Sequence, residues 1–255
     1  MGEFIARIAD AFGLDNPHVV GPDIGTSAGL FAAAAYPGRL RSLVVGSGGA
    51  AVPLQLGGIL MDWVVEPDLE KFRSLDPREI VAGALSGLER YTLPDATRED
   101  YLSAYESDRF VESMRFVRTY PTELPALRDL LQDIKTPVQI IAGGLDWAVP
   151  PANAEFLHER LPHSKLDIID AGHFTWEDAA DEYATLVTSW WHGGYSRLSL
   201  FLNLFGVFRT GCLVEVLGFA DRWAGGDVLV AGAGRAAWAW SGGFRRTGGN
   251  RQFRA

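Results

Sequence analysis

A chain of 255 residues, 47% hydrophobic and 22% charged, can bury one large core or a core with a smaller attached unit, and neither disorder nor a fibrous repeat fits that balance. Its formal net charge of −9 argues against general affinity for nucleic-acid phosphates or anionic membrane surfaces, both of which reward surplus Lys and Arg. A small neutral or polar molecule is the expected partner, with no nucleic acid and no membrane.

Cys212 is the single cysteine, which excludes an internal disulfide. No basic segment precedes an apolar leader, and the longest apolar stretch, residues 198–220, is interrupted by Asn203, Arg209 and Glu215. The cytoplasm is therefore the expected compartment. Charge is uneven: residues 193–255 hold eight Arg, no Lys and three acids, a balance of +5, so residues 1–192 carry −14.

In chain order, Phe4, Ile5, Ile8, Ala11 and Phe12 recur at helical spacing up to Gly13 and Asn16-Pro17. A short apolar run at residues 18–21 then turns sharply into a helix of small residues, which ends at Tyr36-Pro37-Gly38. The run at residues 43–46 reads as a second buried parallel strand. From residue 53 to 133 only helical patterns occur. Asp76-Pro77-Arg78-Glu79 opens one helix, Asp95 another, and a third is expected near residues 110–120, ended by Pro121. The strand pattern returns at residues 137–142, followed by a helix at 152–160, a strand at 165–169 and a helix at 177–191. The fold class is α/β: a mostly parallel sheet flanked by helices, with residues 1–52 and 134–192 as core and residues 53–133 as an inserted helical lid.

The turn at His18-Val19-Val20-Gly21-Pro22-Asp23-Ile24-Gly25 has the features of a nucleophile elbow. A sharp strand-to-helix turn strains its apical residue, so the positions two before and two after must be small; Gly21 and Gly25 fill both, with Asp23 at the apex. The Ile24 N–H, at the start of a helix, is the expected oxyanion donor. Asp146 and His173 also follow predicted strands, where parallel α/β sheets place their active sites. The order nucleophile, acid, histidine completes a candidate triad of Asp23, Asp146 and His173.

Gly21-x-Asp23-x-Gly25, the segment from Gly143 to Pro150 and Asp170-Ala171-Gly172-His173-Phe174 together resemble the α/β-hydrolase superfamily, and specifically its aspartate-nucleophile branch of epoxide hydrolases and haloalkane or haloacid dehalogenases. The resemblance covers residues 3–192. It implies attack by Asp23 on an sp³ carbon, an alkyl-enzyme ester, and hydrolysis of that ester by water activated by His173. No cofactor and no metal are implied. Haloalkane dehalogenases usually have Trp after the nucleophile, and here Ile24 stands there. Epoxide hydrolases use lid tyrosines as acids, and Tyr91, Tyr101, Tyr105 and Tyr120 are available. Epoxide opening is thus expected ahead of carbon–halogen displacement, with Tyr120, Phe116 and Trp147 lining the substrate space. A catalytically silent hydrolase-like module that binds a small molecule or a partner under the lid is the competing expectation, and an inactive truncated product is a third.

Hydrolases of this fold usually carry further strands ahead of the elbow, so an elbow at residue 23 leads to the expectation of an N-terminally truncated sheet with an unpaired strand edge. The Gly-, Arg- and Trp-rich residues 193–255 are expected to lie outside the fold. Within them Asp227 to Ala237 mimics a dinucleotide-binding glycine turn but lacks the following strand and acidic residue.

Overall fold

The computed structural model describes residues 1–196 together with the backbone of two short strands, Val228–Val230 and Trp238–Trp240. Helix α1 (Gly2–Ala11) leads to strand β1 (His18–Pro22), helix α2 (Gly25–Ala35) and strand β2 (Ser42–Gly46). Helices α3 (Gly58–Val65), α4 (Glu70–Arg73), α5 (Pro77–Leu85), α6 (Asp95–Ala104), α7 (Arg109–Val117) and α8 (Tyr120–Leu130) come next without an intervening strand. Strand β3 (Val138–Gly143), α9 (Ala152–Arg160), β4 (Ser164–Ile169), α10 (Thr175–Asp178) and α11 (Ala180–Ser189) follow. The two late strands are β5 (Val228–Val230) and β6 (Trp238–Trp240).

The sheet order is β4-β3-β2-β1-β5-β6, parallel except for the antiparallel pair β5–β6. Strands β1, β2 and β3 are buried throughout, because helices cover both faces of a parallel sheet. Helix α2 lies close on the sheet: a Cβ at Gly29 would stand 2.9 Å from Leu43 Cδ1. All three strand-end turns that carry the candidate triad open on the same edge of the sheet, at the carboxyl ends of β1, β3 and β4.

Several elements differ from the sequence reading. Pro121 starts α8 instead of ending α7, since a proline near a helix N-terminus removes only an N–H that has no partner there. The last helix is divided at Ala179, whose φ of −132° leaves the helical region, and past Trp190 the chain kinks at His192 and Gly193, the latter with φ +108°. Tyr183, Val187 and Trp190 face inward as expected, while Ala180 and Ala184 are exposed.

The edge expected to be open beside β1 is occupied by β5, which satisfies backbone groups that would otherwise lack partners. Two segments of residues 193–255 thus belong to the sheet, contrary to the expectation for that stretch. The glycines after β5, Gly232 and Gly234, lie outside the described residues. Among the described residues, no helix is long and apolar enough to cross a membrane.

Candidate active site

The elbow forms as its small residues require. Asp23 has φ +53°, in the left-handed region that costs an L-residue roughly 1–2 kcal/mol, and its N–H donates to the Gly46 carbonyl at 2.9 Å. A Cβ on Gly21 would lie 2.7 Å from the Gly25 carbonyl oxygen. Thr26, fully buried, locks the turn to β2: its Oγ1 donates to the Gly46 carbonyl at 2.9 Å and accepts the Gly46 N–H at 3.1 Å. The Gly46-Ser47-Gly48-Gly49 loop packs so tightly on the elbow that a Cβ on Gly48 would stand 2.3 Å from the Asp23 carbonyl oxygen. Gly48 was not singled out from sequence; the signal was a glycine-rich run directly after a buried strand.

Asp146 and His173 lie side by side. The Asp146 side chain is 1% exposed; its Oδ1 accepts the N–H groups of Ala148 at 3.0 Å and Val149 at 2.8 Å, and its Oδ2 lies 2.9 Å from His173 Nδ1. A carboxylate can only accept here, so Nδ1 carries the proton and Nε2 presents its lone pair. Nε2 is 4.0 Å from Asp23 Oδ1, beyond hydrogen-bond reach. The three side chains are therefore arranged in line, with the imidazole in the middle.

Burial pushes the Asp23 carboxyl above its ordinary value, with Asp146 adding to that effect, while the His173 charge and the Ile24 N–H oppose it. Burial also disfavours the charged His173 imidazole. The hydrogen bond and charge of Asp146, with the charge of Asp23, outweigh it and hold His173 above its ordinary value. Both groups are thus displaced in the same direction, each toward holding its proton, and such perturbed neighbours make this cleft the candidate site.

The four tyrosines of the inserted helices separate clearly. Tyr91 is on the surface at 45% exposure. The Tyr101 hydroxyl donates to Glu177 Oε1 at 2.7 Å and accepts the Trp176 Nε1–H at 3.1 Å. Tyr105 and Tyr120 remain, and both feel Asp23: burial first, then the Asp23 carboxylate, push Tyr105 up to about 12 and Tyr120 higher still. The Tyr120 ring packs against the loop after β2, where a Cβ on Gly49 would lie 2.8 Å from it. Phe116 meets that ring edge to face at 5.9 Å. Both border a cavity of about 310 Å³ over the first turns of α2, which Met1, Ser27, Phe31 and Glu123 also line and to which Asp23, Asp146 and His173 do not contribute.

Trp147 is placed elsewhere. It is 45% exposed and packs on Gly57, Gly58 and Gly87, where the inserted segment meets the loop after β3. Among the described residues, no cluster of three or more His, Cys, Asp or Glu side chains is arranged to hold a metal ion.

The alpha/beta hydrolase fold family matches residues 1–180. The chain belongs to this family. It is 31% identical over 186 residues to RutD of Caulobacter sp. (strain K31), which is named as a carbamate hydrolase; the match covers 68% of this chain and 63% of that protein. The pimeloyl-[acyl-carrier protein] methyl ester esterase of Neisseria meningitidis serogroup B (strain H44/76) is 26% identical over 213 residues, 74% of this chain and 76% of the esterase. Among solved structures, an alpha/beta hydrolase fold protein from Burkholderia ambifaria has a TM-score of 0.62 at 18% identity, covering 73% of this chain and 70% of the other. The chain thus spans under two thirds of the length of its RutD relative, and its fold is that of the family.

Proposed function

We propose that this chain is a hydrolase of small molecules that attacks an sp³ carbon with Asp23 and passes through an alkyl-enzyme ester, with an epoxide as the preferred substrate. The observation that carries this reading is the aspartate at the apex of the elbow, in line with His173 and Asp146, with its charge felt by buried Tyr120 and half-buried Tyr105. The RutD and esterase relatives are named for carbamate and methyl-ester substrates. The carboxylate at position 23 favours displacement instead, because an ionised carboxylate needs no base to attack.

In the first step an Asp23 oxygen bonds to an epoxide carbon as its C–O bond breaks, and Tyr105 or Tyr120 delivers the proton to the departing oxygen. A tyrosine pushed up to about 12 or beyond stays protonated at neutral pH and is ready to donate. In the second step His173 Nε2 takes a proton from water, and the hydroxide adds to the ester carbonyl. The Ile24 N–H, which favours the charged Asp23 carboxylate in the resting protein, supports the oxyanion. Collapse breaks the bond from the acyl carbon to the alkyl oxygen: the departing alkoxide takes the imidazolium proton to complete the diol, and the proton left on the Asp23 carboxyl passes to the tyrosinate formed in the first step, which restores the carboxylate and the tyrosine together. Helices α3–α8, spanning residues 58–130, act as the lid that shields the ester from bulk water. Carbon–halogen displacement is the second reading; Ile24 offers a halide no side-chain donor.

The deciding experiment is mass spectrometry of the full chain after incubation with styrene oxide and with 1-chlorobutane. An adduct on Asp23 with styrene oxide, accumulating in His173→Gln, is the expected result. An adduct with 1-chlorobutane alone would favour the dehalogenase reading, and a chain that hydrolyses p-nitrophenyl acetate with Asp23 replaced by Ala would overturn both.

A further inference from the structure

The segment that carries His173 is fastened to the inserted helices by a side chain outside the triad. Asp178, at the end of α10 and only 6% exposed, accepts two backbone N–H groups, one on each oxygen. Oδ2 takes the Gly172 N–H at 2.7 Å, one residue before His173. Oδ1 takes the Arg90 N–H at 2.6 Å, in the turn between α5 and α6. The same two segments are joined again where Arg90 Nη1 donates to the Asp170 carbonyl at 2.9 Å and to its Oδ2 at 2.7 Å. There is little slack between them: a Cβ on Gly172 would lie 2.6 Å from the Gly87 carbonyl oxygen, and one on Gly143 would lie 2.2 Å from the Gly172 carbonyl oxygen.

Both N–H groups belong to loop residues with no helix or strand partner, and among the described residues the Asp178 carboxylate is the acceptor for each; the Gly172 amide is buried, where an unpaired N–H is costly, and the Arg90 amide is partly buried. Hydrogen bonds to an ionised acceptor are roughly twice as strong as neutral ones. We infer that Asp178 is a positioning residue: it sets the His173 loop against the inserted helices, so that the imidazole is held in line between Asp146 and Asp23 only while those helices are docked. Asp178 reaches His173 only through the Gly172 amide. Its effect is therefore on where the ring sits and falls on the water-activating half of the cycle, a consequence that rests on the role proposed for His173.

Asp178→Asn tests this, because the amide keeps the shape but turns one acceptor into a donor facing an N–H. Three measurements on the full chain are compared between wild type, Asp178→Asn and His173→Gln, the last to assign the His173 signal. First, amide exchange: Gly172 and Arg90 are expected to be protected together in the wild type, and both to lose at least tenfold protection in the variant. Free exchange of either amide in the wild type overturns the inference without any variant, so a misfolded variant does not rescue it. Second, imidazole titration by NMR: the His173 pKa is expected to fall toward 6.5 in Asp178→Asn as its contact with Asp146 loosens, and an unchanged value in a folded variant overturns the inference. Third, single turnovers with styrene oxide: adduct formation within about twofold of wild type with adduct decay slowed at least tenfold is expected, whereas equal losses in both steps indicate general damage and overturn it. A wild-type chain that forms no adduct refutes the reaction proposed above, while the first two measurements still decide the role of Asp178.

Discussion

Asp146 and His173, 27 residues apart in sequence, meet at 2.9 Å with both oxygens of the carboxylate committed: one to two backbone N–H groups, the other to the imidazole. The loop after β3 thus fixes the carboxylate, and the carboxylate fixes which ring nitrogen holds the proton.

Replacing Asp146 by Asn should therefore be far more damaging than the loss of one charge. The Ala148 and Val149 N–H groups require the amide oxygen, which turns the NH₂ toward His173 and reverses the ring tautomer, removing the lone pair at Nε2. A turnover loss of about 10³–10⁴ is expected, concentrated in adduct decay. Stopped-flow separation of adduct formation from decay checks it.

The pH dependence follows from two raised values. In the proposed reaction Asp23 is ionised when it attacks and His173 neutral when it activates water, so the rates of both steps should fall as pH falls, the first through a value above the ordinary 3.8 and the second through one above 6.5. The contribution of these groups to stability runs the other way. Each is more readily protonated when folded, so its contribution is full below its unfolded value and is lost as pH rises through its folded value. Rate profiles and melting temperatures across the same buffers should show activity at the site rising while its stabilisation declines.

Gly48→Ala should shift the elbow. The added methyl would meet the Asp23 carbonyl oxygen and Thr26 Cβ at 2.3 Å and 2.6 Å, both in the packed interior. Overpacking of this kind typically costs about 1–3 kcal/mol, so urea unfolding should show that loss together with weaker adduct formation.

Asp23→Gly should do the reverse for stability while abolishing turnover. It relieves the left-handed strain at φ +53° and removes a half-buried carboxyl, against a greater loss of backbone entropy on folding. A gain of about 1 kcal/mol in urea unfolding is expected, and a loss would mean that the turn is not strained.

Acid lability should come from His18, at the opposite end of β1 from Asp23. Its ring is buried against Trp191 and Tyr195, and its Nδ1 lies 2.7 Å from Ser42 Oγ. Burial, with the charges of Arg41 and His192, lowers it from 6.5 to about 4. The unfolded chain therefore binds a proton that the folded one refuses, and stability falls as pH drops below 6.5. Between pH 7 and pH 5 this amounts to about 2 kcal/mol. Chemical denaturation at both values, compared with His18→Gln, should show the difference shrink in the variant.

The elements nearest the chemistry were legible because each is governed by a local rule. Gly21 and Gly25 reveal the elbow because no larger residue fits, and the apolar runs of β1, β2 and β3 reveal buried parallel strands. What escaped depends on partners far along the chain. The three-residue strand β5 pairs with β1 through His18 and Val228, and nothing local at either residue specifies the other. Tyr120 was singled out by its place in the inserted segment, but Tyr105 could not be separated from Tyr91 and Tyr101 by spacing, since only the docking of the inserted helices decides which hydroxyl Asp23 influences. Trp147 follows Asp146 directly, yet the turn directs it to Gly57 and Gly87. Asp178 has the shortest-range signal of those missed, five residues beyond His173 on the next helical turn.

The entry to the inserted helices is held by one amide. Buried Asn153 on α9 accepts the N–H groups of Ala50 and Ala51 and donates to the carbonyls of Gln55 and Pro150, so all four of its hydrogen bonds are made. Because that clamp closes before Gly58, everything from α3 to α8 can be regarded as an exchangeable cassette. Helices from a related protein could be grafted between Gln55 and Ile134 to redirect substrate choice while the triad stays on its own scaffold, provided the graft retains a backbone N–H for Asp178.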